Sequence, residues 1–251
     1  MSNSTIRFYD IPSNLGKCQA WSPNTWRIRL ALNYKKIPYV TVWVEFPDIE
    51  KVCKEIGAAP TRMAGGKEHY TLPVIQDPST GSTISNSYDI ANYLDKQYPD
   101  APELFPPGTI ALQLGFDDAG RRALMAITSF SIPASHKLLN AASESHFRRT
   151  REAFYGKRLE DVPPVGEARE EAWSKVREGF DRIDEWLQEG GGSFVMGKTI
   201  TYADLIVVAS LLYLQRVFGE ESAEWRDISR WNEGRWEGRL KALAEFQVED
   251  K

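Results

Sequence analysis

The residues best placed to do chemistry sit in one short run, Trp21-Ser22-Pro23-Asn24-Thr25-Trp26-Arg27. Ser22 suits the N-cap of a helix and Pro23 its first position, since a serine hydroxyl can accept from an orphan amide and proline has no amide to orphan. A helix N-terminus that carries a hydroxyl and opens from the end of a strand can hold an anion. The competing reading is an ordinary capped helix. Asn24, on the same turn, is a second candidate donor, or else a first-turn residue facing water. Cys18 lies four residues upstream of Ser22 in a loop. It is a candidate for mixed-disulfide chemistry, against the commoner case of a packed thiol.

Other chemistry is poorly represented. Cys18 and Cys53 form no CxxC pair, and His69, His136 and His146 are scattered without HExxH, so no metal is expected. Gly190-Gly191-Gly192 is not followed by the lysine of a phosphate loop, and GxSxG is missing. The net charge of -4 argues against a nucleic-acid partner. The basic run Arg148-Arg149-Thr150-Arg151 reads as a solvated helix face. The longest apolar run, Leu205 to Leu214, is interrupted by Ser210 and too short for a membrane span. Met1 to Thr5 is polar, without the apolar core of a secretion signal. Two free thiols suggest a reducing compartment, and a cytoplasmic location is expected. The 251 residues, 42% hydrophobic and 26% charged, suffice for one large globular unit or two modest ones.

The elements that must position Ser22 follow from pattern. Ile6, Phe8 and Tyr9 read as a strand, Ile11 to Ala20 as a loop and Trp26 to Tyr34 as a helix. Tyr39 to Glu45 alternates and is β-branched, a strand; Pro47 to Ile56 suits a short helix and Gly57 to Lys67 a loop. Tyr70 to Gln76 reads as a strand with Pro73 inside it, which calls for an edge, a bulge or a cis bond. Asp77 to Gly81 is a turn, Ser82 to Ile84 its hairpin partner, and Ser87 to Tyr98 a helix. The order is β-α-β-α-β-β-α.

Tyr98 to Gly108 carries four prolines and reads as a linker. Helices are expected over Ile110 to Ile127, Ala134 to Tyr155, Val165 to Gln188, Tyr202 to Val217 and Trp225 to Phe246, with breaks at Pro133, Pro163-Pro164 and the triple glycine. Thr201-Tyr202-Ala203-Asp204 has the form of a capping box that uses aspartate; a catalytic Asp204 is the weaker alternative.

This arrangement resembles the cytosolic glutathione transferases: an α/β thioredoxin-like N-terminal domain, a proline linker and an all-α helical bundle. Four motifs carry the resemblance in order: Ser22-Pro23-Asn24, Leu72-Pro73-Val74-Ile75, Asn86-Ser87 and Thr201-Tyr202-Ala203-Asp204. The combination FYDIPSN, AWSPNTWR, WVEFPDIE and TLPVI is similar to the fungal-specific class A members, themselves related to bacterial glutathione-dependent β-etherases. The expected units are 1–99 for glutathione binding, 100–108 as linker and 109–251 for a hydrophobic substrate site.

The resemblance implies glutathione as co-substrate, a homodimer, and detoxifying transfer to electrophilic aromatic molecules, including xenobiotics. Ser22 would donate to the glutathione sulfur, and Leu72, Pro73 and Val74 would offer backbone to its cysteinyl part, with Val74 making the contact. Asn86 and Ser87 would hold the γ-glutamyl arm. Asn86 stands where the family keeps an acid, so the charge-charge part of that contact is missing. For the glycyl carboxylate, Arg62, Lys67 and His69 are candidates, none preferred. Tyr9, Trp21 and Trp26 would line the aromatic site. The alternatives are a ligandin-type binder of aromatic compounds, a β-etherase-like activity, and a Cys18-dependent thiol reductase.

Overall fold

A computed structural model describes residues 5–16 and 18–249. The outer limits of the expected units 1–99 and 109–251 fall outside the described residues. β1 (Ile6–Asp10), α1 (Pro23–Tyr34), β2 (Tyr39–Trp43) and α2 (Ile49–Glu55) come first, the last preceded by a 3-10 turn over Phe46–Asp48. β3 (Arg62–Ala64), β4 (Lys67–His69), β5 (Val74–Asp77), β6 (Ser82–Ser85) and α3 (Ser87–Gln97) complete the α/β layer. Its sheet runs β2-β1-β5-β6. β1 and β2 are parallel, with Ile6 opposite Tyr39, while β5 is antiparallel to both β1 and β6.

Two departures from the sequence reading occur here. β3 and β4 form a hairpin where a loop is expected. Its turn is Gly65-Gly66, with φ of 57 and 77, the paired positive values that a tight hairpin turn demands. β5 also starts later than expected, at Val74, because Leu72 and Pro73 precede the ladder, and the Leu72–Pro73 bond is cis.

The second half is helical: α4 (Ile110–Ala123), α5 (Thr128–Ser135), α6 (Ala141–Tyr155), α7 (Glu167–Glu189), α8 (Tyr202–Phe218) and α9 (Ala223–Ala242). Pro133 does not break the chain; it sits inside α5, and the break comes at Leu139-Asn140. α9 is kinked where Asn232, Glu233 and Gly234 take positive φ. Among the described residues no helix is long and apolar enough to cross a membrane.

α1 is the hinge of the packing. It is buried from Thr25 to Asn33, packs on α8, and meets the sheet through Arg29, which donates to Asp10 of β1 and Thr41 of β2. Its Arg29 is fully enclosed, paired with Asp10 at 2.8 Å, and its guanidinium lies over the rings of Phe8, Trp26, Tyr39 and Trp43. Burying such a charge is tolerable only because it is paired and bonded. At the start of α8, the Asp204 carboxylate accepts from the Thr201 amide at 2.9 Å and the Val195 amide at 2.7 Å, closing a capping box. Asp204 is 3% exposed and serves the helix, away from the main cavity.

Candidate functional site

A cavity of about 720 Å3 opens between the α/β layer and the helices. Its α/β wall comes from the start of α1, the loop after β2, and the segment from Glu68 to Leu72; its helical wall comes from α4, α5, α6 and α8.

Ser22 stands on this wall at the N-cap of α1, with extended φ and ψ of -67 and 131. Its side chain makes no cap hydrogen bond. That corrects the expectation that the helix uses the hydroxyl: the residue has the cap's place, but its oxygen is left for the cavity. Pro23 at the first position and the exposed Asn24 after it also line the cavity. The first-turn amides point out of the helix N-terminus, where partial positive charge favours an anion.

Leu72 lines the cavity too, whereas Val74 does not. Val74 is fully buried and paired on both sides, with Tyr9 and with Ser85. The amide and carbonyl of Leu72 have no backbone partner among the described residues. The backbone edge that an extended ligand can pair with is therefore at Leu72, which corrects the role expected of Val74.

Asn86 and Ser87 open α3 but are not part of the cavity wall. The Asn86 side chain accepts from the Tyr88 amide at 3.2 Å. Its backbone has φ 74 and ψ 130, a region that costs a non-glycine residue about 1–3 kcal/mol and is found at ligand clamps.

Of the three expected aromatic residues, only Trp21 lines the cavity. Trp26 is wholly buried on the Arg29 side of α1, and Tyr9 is 5% exposed with its hydroxyl donating to Gln76 Oε1 at 2.6 Å. Both are core residues. The aromatic lining beside Ser22 and α6 instead includes Trp21, Phe46, Phe147 and Tyr213, with Tyr70, Phe116, Phe180 and Trp236 elsewhere on the wall. Trp21 and Phe46 have ring centroids 6.3 Å apart, Phe46 and Phe147 5.7 Å. These residues come from distant segments, and no local signal links them.

The charged residues are distributed unevenly. Arg27 and Asp117 form a two-bonded ion pair across the cavity floor, at 3.1 and 3.2 Å, joining α1 to α4. His69 reaches the cavity; Arg62 and Lys67 do not. Partial desolvation, with Arg62 and Arg151 nearby, lowers the His69 pKa against the opposing pull of Glu50. The basic run on α6 is not uniformly solvated. Arg148 is enclosed by Glu144, Glu152 and Glu160, whereas Arg151 lines the cavity.

Cys18 is not on the cavity wall. Burial and a hydrogen bond with Glu249 push its thiol up to about 11, against the pull of Arg216, whose Nη2 lies 3.0 Å from the sulfur. Off the cavity wall and with its thiol pKa raised, Cys18 gives a thiol-reductase reading no support. Among the described residues no group of three or more His, Cys, Asp or Glu is placed to hold a metal ion.

The chain is similar to known proteins over nearly its whole length. The family model for the glutathione S-transferase N-terminal domain matches residues 21–97, and that for the C-terminal domain residues 111–246. A glutathione S-transferase-like protein of Aspergillus flavus is 31% identical over 98% of both chains. A glutathione S-transferase of Ceriporiopsis subvermispora, solved in complex with glutathione, is 46% identical with a TM-score of 0.94, covering 98% of this chain and 99% of its own. Glutathione transferase GSTFuA3 of Phanerochaete chrysosporium is 41% identical with a TM-score of 0.92 over the whole of both chains.

Proposed function

The chain belongs to the glutathione transferase family, and on that premise we propose that it joins the glutathione thiolate to electrophilic aromatic molecules, with Ser22 stabilising the thiolate. The observation that carries this reading is the Ser22 hydroxyl, which faces the cavity at a helix N-terminus and makes no bond to the helix. A free thiol has a pKa of about 8.5, and lowering it to roughly 6.5 requires ~2.7 kcal/mol. A hydroxyl donating to an anion contributes about 1.5–3 kcal/mol, and the helix N-terminus about 0.3–1. Together they suffice without a general base. Asn24 is the second donor.

The tripeptide lies along the α/β wall. Its cysteinyl amide and carbonyl pair with the free backbone of Leu72, and its γ-glutamyl carboxylate meets the N-terminus of α3. The strained backbone of Asn86 supports that second contact. The electrophile stacks among Trp21, Phe46 and Phe147. The sulfur then attacks an activated carbon, the new C–S bond forms, and the leaving group departs with the electron pair of its old bond.

A second reading has a specific basis, namely the aromatic and aliphatic lining of so large a cavity. The same space can store aromatic compounds with little turnover. Steady-state turnover of chlorodinitrobenzene decides between the two. Catalysis that falls tenfold or more in Ser22→Ala, while glutathione still binds, supports the transferase; tight binding of an aromatic dye without turnover supports the binder.

A further inference from the structure

From the placement of Arg151 we infer a carboxylate-binding site on the helical wall of the cavity, which makes aromatic acids the preferred electrophiles. This inference rests on the transferase reading above and names its substrate class.

Arg151 lines the cavity from α6, half-buried. Its guanidinium lies over the Phe147 ring at 4.8 Å and donates to Thr150 Oγ1 at 3.3 Å. It makes no ion pair with a carboxylate among the described residues, and besides Thr150 its charged and polar neighbours include Tyr155, Tyr213, Arg62, His69 and His146. Its neighbour Arg148, by contrast, is neutralised by three glutamates on the same helix and the turn beyond it. Burial lowers the Arg151 pKa, yet a guanidinium stays charged. Arg62 adds positive charge nearby, the carboxylates of Glu50 and Glu68 line the same cavity without pairing with Arg151, and the pKa of His146, like that of His69, is lowered by burial and by nearby arginines. A half-buried cation without a counter-ion, facing a cavity, favours an anionic ligand.

The path from Ser22 identifies the anion's carrier. Trp21 adjoins Ser22, Phe46 contacts Trp21, Phe147 contacts Phe46, and Arg151 caps Phe147. A flat aromatic acid lying along that wall, with its reacting carbon toward the sulfur, directs its carboxylate toward the Arg151 end. The planar guanidinium fork matches a carboxylate in two parallel bonds.

The test compares para-chloro-dinitrobenzoate with its methyl ester as electrophiles. In each, glutathione sulfur replaces chloride: the C–S bond forms and chloride leaves with the C–Cl electron pair. In wild type the acid is preferred, and in Arg151→Gln the ratio of kcat/KM for acid over ester falls roughly tenfold, as expected for one charge-assisted bond. Arg151→Lys restores part of the ratio, and Arg149→Gln, at an exposed position off the cavity, leaves it unchanged. If Arg151→Gln instead raises the KM for glutathione equally with either electrophile, the arginine holds the glycyl carboxylate and the inference fails. An unchanged ratio also overturns it. Binding of chlorine-free dinitrobenzoate and its ester, read by quenching of tryptophan fluorescence, gives the same ratio in a protein that turns over neither, so failure of the transferase reading is separable.

Discussion

The Phe46 amide donates to the Ser143 hydroxyl at 2.8 Å, so the loop after β2 is held by α6 of the helical half. Glu45 completes the latch, accepting from Asn140 Nδ2 at 2.8 Å and from the Ser143 hydroxyl. The loop that carries Phe46 and the helix that carries Phe147 and Arg151 are thus one unit, although they are about a hundred residues apart in the chain.

Ser143→Ala leaves the Phe46 amide and one Glu45 oxygen unsatisfied beside a fully buried position. It is expected to cost about 1–3 kcal/mol. For a chain of this size that lowers Tm by about 2–4 °C per kcal/mol. Calorimetry checks the stability. KM for an aromatic electrophile is expected to rise as Phe46 loosens, with KM for glutathione unaffected.

Trp26 and Trp21 separate core from site. Trp26→Phe is expected to destabilise by about 1–3 kcal/mol, through lost packing around Arg29, without altering KM for the electrophile. Trp21→Ala removes part of the cavity wall and is expected to raise that KM about three- to tenfold. Denaturant unfolding alongside steady-state kinetics distinguishes them.

Asp77 makes the α/β layer sensitive to acid. Burial raises its pKa, but hydrogen bonds from Ser79, Tyr98 and Tyr93 outweigh that and leave it below the usual carboxylate range. A carboxyl with a lowered folded pKa contributes stability above its unfolded value of about 3.9, and that stability is lost as pH falls through the folded pKa. Asp77→Asn is expected to cost about 1–3 kcal/mol at pH 7, and the gap from wild type should close in acid. Urea titrations across pH would show a constant gap if the carboxylate played no part.

What the sequence makes legible is local. Ser22-Pro23 at a helix start, Thr201-Asp204 at another, and a special backbone at Pro73 each depend on neighbours within a few residues, and those contacts form wherever the chain goes. Facing direction is less legible. Trp21 and Trp26 flank the same turn, yet Trp26 packs under the buried Arg29 guanidinium while Trp21 faces the cavity. Leu72 and Val74 are likewise two residues apart, and only the sheet register shows that Val74 is paired on both edges. The β3–β4 hairpin did carry a signal, Gly65-Gly66, hidden because the strands beside it are only three residues long. Arg148 and Arg151 look equivalent in sequence, and the difference between them lies in glutamates brought close by α6 and the turn after it.

The central claim is that Ser22 holds a thiolate. The measurement that tests it most directly is a pH titration of the thiolate absorbance of bound glutathione, in wild type and in Ser22→Ala. The account predicts a bound thiol pKa of about 6.5 in wild type and a rise of about 1–2 units without the hydroxyl, the helix N-terminus retaining the rest. An identical pKa in the two proteins, with glutathione bound equally well, would contradict it.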